Sequence, residues 1–159
     1  MINEQLTGNE RSMHEVWMRK AIELAKQAEQ AGEVPVGAIL VHNNQIIGQG
    51  YNQPIQSHDP SAHAEIQALR DAGQQAGNYR FPGATLYVTL EPCTMCAGSI
   101  IHARIEQLIF GANDPRTGAI TSVDTVLDKP HHNHKISYQG GILAEECAQL
   151  LQEFFKAKR

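Results

Sequence analysis

An α/β sandwich is the architecture that this sequence encodes. Short apolar runs suited to strands alternate with longer amphipathic stretches suited to helices. The first two strand-like runs are separated only by Asn43-Asn44 and make a hairpin, whereas later runs are separated by helix-length segments and make crossover units. No repeat, low-complexity tract or linker interrupts the pattern. The 159 residues therefore read as one domain, 1–159, with residues 1–11 as a flexible N-terminal extension.

The first helix is expected from Met13 to Ala31. Ser12 and Glu15 have the spacing of a capping box, Met13, Trp17, Leu24 and Ala28 recur at helical period, and Gly32 stops the run. PVGAILVH and QIIGQGY then form the hairpin, since asparagine tolerates the positive φ of a two-residue turn. Asp59-Pro60-Ser61 opens a second helix with Ala62, Ile66, Leu69 and Gly73 facing inward. ATLYVTL, 84–90, is apolar enough for the middle of a sheet. A third helix runs from near Pro92 to Ala103, and EQLIFGA is the fourth strand. Residues 113–134 lack periodicity and read as a long loop with one short helical turn. ISYQ is a short fifth strand. A last helix, 143–157, lines up Leu143, Cys147, Leu150, Leu151 and Phe154.

A chain of this length buries roughly 70% of its unfolded surface and needs no staples. Three cysteines, two of them paired as Cys93-x-x-Cys96, do not make a disulfide framework and fit a reducing compartment. The opening MINEQLTGNERSM is polar, and no run approaches the roughly 20 apolar residues of a membrane span. A soluble, cytoplasmic protein without a membrane partner is the expectation. A formal charge of −4 and an isoelectric point near 6.0 argue against indiscriminate binding to phosphate polymers. Lys156, Lys158 and Arg159 follow Phe154-Phe155; composition alone favours reading them as complements to a helix dipole.

Chemistry concentrates in two stretches. Cys93 and Cys96, three apart at a helix start, share a face and can grip one ion. They supply only two ligands, whereas catalytic zinc takes three protein ligands and leaves a position open. His63, at the start of another helix, is the best-placed third. A thioredoxin-like use of Cys93-Thr94-Met95-Cys96 is the rival, but it needs no H-x-E partner. Taken singly, His63 and Glu65 read as an ordinary helix-end polar residue and a solvated first-turn acid. Residues i and i+2 of a regular helix point about 200° apart. His63 and Glu65 therefore converge only if His63 stands at the very start of the helix. With that geometry, zinc held by His63, Cys93 and Cys96 activates a water, and Glu65, not itself a ligand, carries the proton. The matching reaction is hydrolytic deamination of a nucleobase.

His63-Ala64-Glu65 with Pro92-Cys93-Thr94-Met95-Cys96 resembles the H-x-E…P-C-x-x-C signature of the zinc-dependent cytidine and deoxycytidylate deaminase superfamily. EVPVGAILVHNNQIIGQGYN, HDPSAHAEIQALR, NYRFPGATLYVTLEPCTMCAGSIIHARI, Gly111–Asp114 and EFFKAKR extend the similarity to the bacterial tRNA-specific adenosine deaminases over nearly the whole chain. The resemblance implies a three-layer α/β/α cytidine-deaminase-like fold with a mixed five-stranded sheet and helices on both faces. It implies one Zn2+ per subunit, a homodimer, and conversion of adenosine to inosine at wobble position 34 of the arginine tRNA with an ACG anticodon. It further implies that Asn52 hydrogen-bonds the flipped base, that the Ala64 N–H holds its ring, and that Asn113 and Asp114 lie near adjacent nucleotides. Phe155 and Arg159 would meet the anticodon stem-loop, which overturns the compositional reading of the C-terminus.

After Thr117-Gly118-Ala119 the family continues with small residues, but here Ile120 and Thr121 follow, and their branched side chains narrow the loop's backbone choices. His131, His132 and His134 invite a second metal site but lack a matching thiolate or carboxylate cluster. The alternative within enzymes is a deaminase of a free base or nucleoside, guanine or cytosine; outside enzymes it is a structural zinc or RNA-binding module.

Overall fold

A computed structural model describes residues 5–158. Its strands are β1 (Gly37–His42), β2 (Gln45–Tyr51), β3 (Thr85–Leu90), β4 (Gln107–Ala112) and β5 (Ser137–Gln139). Its helices are α1 (Gly8–Gln30), α2 (Pro54–Ser57), α3 (Ala64–Ala76), α4 (Thr94–His102) and α5 (Ala144–Ala157), with a 3-10 turn at Val126–Asp128. The sheet order is β2-β1-β3-β4-β5. β1 pairs antiparallel with both β2 and β3, whereas β3–β4 and β4–β5 are parallel.

Strict alternation along the three central strands builds the layers. Ala38, Leu40, Leu86, Val88, Leu108 and Phe110 face one side, where they pack with Ala64, Ala68 and Ala72 of α3 and Ala97, Ile100 and Ile101 of α4. Ile39, Val41, Tyr87 and Ile109 face the other, against Met18, Ala21 and Ile22 of α1 and Cys147 of α5. Both faces of the sheet are thus covered, which explains why the strands are apolar throughout. The result is the expected three-layer sandwich with a mixed five-stranded sheet. Asn43 and Asn44 adopt φ of 50° and 60°, as the hairpin turn requires. Among the described residues no helix is long and apolar enough to cross a membrane.

The helices differ from expectation in three places. α1 begins at Gly8, not Met13, so residues 8–11 belong to the helix rather than to an extension; residues 1–4 lie outside those described. Thr7 and Glu10 make a capping box of their own, with Thr7 Oγ1 accepting the Glu10 N–H at 3.1 Å and Glu10 Oε1 accepting the Thr7 N–H at 3.1 Å. It lies upstream of the Ser12–Glu15 pair, and once the first turn is nucleated each further residue adds a bond at little cost. α3 begins at Ala64, past the Asp59-Pro60-Ser61 segment, with His63 at its entry as the convergence of His63 and Glu65 requires. Asp59 instead caps a turn, its Oδ1 accepting the Ser61 N–H at 2.9 Å and hydroxyl at 2.7 Å. Four-residue α2 was not expected, for it is too short to show periodicity; buried Glu33 holds its start by accepting the Ile55 and Gln56 N–H groups at 3.2 and 2.8 Å.

Candidate metal centre and active site

His63 and Cys93 occupy equivalent places. Each is the N-cap residue of its helix, with extended backbone (φ −72°, ψ 156° and φ −79°, ψ 177°), and neither side chain caps the helix it precedes. That geometry is what frees His63 to turn toward the cysteines while Glu65 sits in the first turn of α3. Cys96, one turn into α4, is fully buried. Zinc legs of about 2.3 Å to sulfur and about 2.0–2.1 Å to nitrogen, opened to the tetrahedral angle, span about 3.6 Å. His63 Nδ1 lies 3.6 Å from Cys93 Sγ and 3.6 Å from Cys96 Sγ, and all three donor atoms fall within 4.8 Å of one another. The donor set and its spacing fit one zinc ion with a position left over. Among the described residues this is the His/Cys/carboxylate group so gathered.

Electrostatics follow from the packing. The hydrogen bond with Cys96 pulls the Cys93 thiol down to about 4, against the opposing effect of its burial, while sharing with Cys93 and burial push Cys96 up. The Cys93 contact also raises His63, although burial opposes it. Glu65 is 4% exposed. Burial pushes its carboxyl up to about 7, with its own backbone N–H and the His63 charge pulling the other way and Cys93 adding to the rise. A carboxyl poised there is suited to both taking and giving a proton at neutral pH.

Of the other residues named above, Asn52 and Ala64 adjoin His63, Asn113 and Asp114 follow β4, and Phe155 lies on α5. Asn52, following β2, accepts the Ala64 N–H on its Oδ1 at 2.8 Å. The Ala64 N–H expected to hold the base ring is thus bonded to Asn52, whose amide keeps its Nδ2 hydrogens and a second Oδ1 lone pair for a ligand. Asn113 is exposed just after β4. Asp114 closes a tight turn, its carboxylate accepting the Arg116 and Thr117 N–H groups at 3.0 and 3.2 Å and the Thr117 hydroxyl at 3.0 Å. An open cleft of about 350 Å³ beside the metal ligands is lined by Cys93, Met95, Thr117, Gly118 and Val123, among others. Phe155 is 48% exposed and meets Phe154 edge-on at 5.4 Å. Arg159 lies outside the described residues.

Ile120, the departure noted above, is fully buried in the α3/α4 core, so the larger side chain anchors the loop. His134 Nε2 bonds the Ile105 carbonyl at 2.7 Å, and His131 lies against His132 with ring centres 4.2 Å apart and planes tilted by 43°. Sequence reasoning missed Glu91, a buried acid that binds the backbone of this loop. Burial would raise its pKa, but the Ser122 hydroxyl and the Thr121, Ser122 and Asp114 N–H groups outweigh that and hold it low. Its only signal was an acid closing an otherwise apolar strand.

The model of the cytidine and deoxycytidylate deaminase zinc-binding region matches residues 11–112. The tRNA-specific adenosine deaminase of Haemophilus influenzae is 53% identical over 146 residues, covering 91% of this chain and 84% of its own. That of Bacillus subtilis is 43% identical over 145 residues, covering 91% and 90%. The chain belongs to the tRNA-specific adenosine deaminase family of zinc-dependent deaminases. A solved structure from work on A-to-I editing by tRNA:A34 deaminases at the wobble position superposes with a TM-score of 0.83 at 41% identity, over 86% of this chain and 99% of that one. A more distant structure, solved with 2,6-diaminopurine, shares the fold at 23% identity and a TM-score of 0.80, over 92% of this chain and 83% of that one.

Proposed function

We propose that this protein hydrolyses adenosine to inosine at wobble position 34 of the arginine tRNA with an ACG anticodon, working in the cytoplasm as a homodimer. The observation that carries the reading is a buried Glu65 carboxyl set beside a His63/Cys93/Cys96 trio of zinc-like spacing, in a chain of this family.

Zinc at the trio supplies the Lewis acidity that makes water a nucleophile near neutral pH. The remaining work is the chain's own. Glu65 accepts one proton of the attacking water and delivers it to the purine ring nitrogen, then passes the remaining hydroxyl proton to the departing amine, so that adenosine and water become inosine and ammonia. Asn52 offers its Nδ2 to the base, and the Ala64 N–H fixes that amide by holding its Oδ1. Asn113 and the turn closed by Asp114 border the neighbouring nucleotides. Exposed Phe155 gives a surface for an unstacked base or sugar, and Arg159 gives a phosphate partner.

Incubation of the zinc-loaded protein with an ACG stem-loop and, separately, with free adenosine, guanine and cytosine tests the reading. Inosine should appear in the RNA alone; turnover of a free base with untouched RNA would overturn it. Glu65→Gln should lower kcat by about 10²–10⁴-fold while keeping one zinc per chain. Unchanged turnover in that variant would remove Glu65 from the chemistry.

A further inference from the structure

Glu91 immediately precedes Pro92-Cys93 and is 2% exposed. Its carboxylate is filled by donors from one loop. Oε1 accepts the Asp114 N–H at 3.0 Å and the Ser122 hydroxyl. Oε2 accepts the N–H groups of Ile120, Thr121 and Ser122 at 3.0, 2.8 and 3.0 Å. Bonds to an ionised acceptor are the strong ones, and here they fix both ends of the 114–122 segment to the strand end that carries Cys93. The Ala119 N–H, donating to the Pro92 carbonyl at 2.8 Å, ties the middle. Gly118 is folded tightly over the carboxylate: a Cβ there would collide with Glu91 and lie 2.6 Å from the Asp114 carbonyl oxygen.

We propose that Glu91 is a positioning residue, which clamps the 113–122 loop beside the metal ligands so that Asn113 and Asp114 meet the RNA on a preformed surface. The proposal rests on the RNA substrate argued above. A residue that only supported the fold would shift zinc content and kcat along with KM, whereas a clamp on a substrate-facing loop shifts KM.

Glu91→Gln in the zinc-loaded full chain is the test. Its carbonyl can keep the three N–H bonds made to Oε2, and the Ser122 hydroxyl can rotate to accept from the new amide. The amide then opposes the Asp114 N–H, donor against donor, so the Asp114 bond is lost outright while the other N–H bonds persist on a neutral acceptor. Loss of a bond to a charged acceptor corresponds to about a tenfold effect or more. KM for the ACG stem-loop should rise by that factor with kcat and zinc content preserved, and amide hydrogen exchange should accelerate at Asp114 but not at Val88 in β3. Unchanged KM with unchanged exchange would overturn the proposal, as would a fall in kcat at constant KM or a loss of zinc. Should Glu91→Gln fail to fold, Ser122→Ala keeps the carboxylate and removes one donor. It should raise KM and speed exchange of the amide at position 122; no change in either would overturn the clamp. If wild-type protein leaves the RNA untouched, the substrate reading fails, while the exchange data still decide whether Glu91 holds the loop.

Discussion

Ile120 ties the same loop to the core, and its replacement gives a graded test of how the loop is held. Because the side chain is fully buried in the cluster shared with α3, α4 and Leu127, it forfeits its whole transfer free energy when shortened. Ile120→Ala removes three carbons, so the transfer part alone is about 2.4 kcal/mol at ~0.8 kcal/mol each. Incomplete collapse of the space left behind raises the expected loss toward the ~2–5 kcal/mol seen for such changes. Ile120→Val removes one carbon and should cost about 0.5–1.5 kcal/mol. Urea denaturation of the zinc-loaded variants measures the global loss, and amide exchange over 113–128 shows whether it is taken locally. Both variants keep the Ile120 N–H that Glu91 accepts, so the graded loss belongs to the side chain. A loss below about 0.5 kcal/mol for Ile120→Ala, the size of an ordinary surface change, would refute the anchoring argument.

Two other perturbations probe the metal and the far side of the sheet. Altering a group that merely supports a metal ligand lowers affinity about 10–100-fold. Cys96→Ala, which removes a ligand outright, should exceed that in competition with a chromogenic chelator, and wild-type affinity in that variant would disprove ligation. His14, 3% exposed, bonds the Tyr87 hydroxyl through Nδ1 at 2.8 Å. Burial lowers its pKa, Arg11 adds slightly, and Glu10 opposes. A depressed folded-state pKa means that the unfolded chain takes up the proton first, so stability is full above about 6.5 and lost as pH falls below it. His14→Gln, which does not titrate, should flatten the fall in urea midpoint between pH 7.5 and 5.5. Comparing the two proteins cancels the metal's own competition with protons; parallel curves would remove His14 as the source.

How much of this was legible depends on where each determinant resides. The strands were readable to within one or two residues because all three central ones are apolar on both faces, a pattern that survives any tertiary context. Helix starts were not, since Thr7–Glu10 and Ser12–Glu15 offer the same capping spacing and sequence does not rank them. The metal ligands were readable because a C-x-x-C and an H-x-E have one joint use. Glu91 was hidden for the opposite reason. Four of its five donors are backbone N–H groups 23 to 31 residues onward, and backbone donors carry no residue signature.

The N-cap placement of His63 also raises a question of helix stability that the fold answers. N-cap positions favour Ser, Thr, Asp or Asn, and giving up a cap typically costs about 1 kcal/mol. His63 provides none, because a side chain cannot both bond the first turn of α3 and face the two sulfurs. Asn52 takes over that duty from outside the helix, accepting the Ala64 N–H at 2.8 Å. The residue type preferred for capping is present, displaced onto the end of the neighbouring strand. One bond thereby stabilises the start of α3, frees the imidazole for the metal and orients the amide that we propose meets the substrate. The capping role and the proposed substrate-binding role of Asn52 therefore separate only by pairing two variants: Asn52→Asp keeps the cap acceptor and removes the Nδ2 donor, whereas Asn52→Ala removes both.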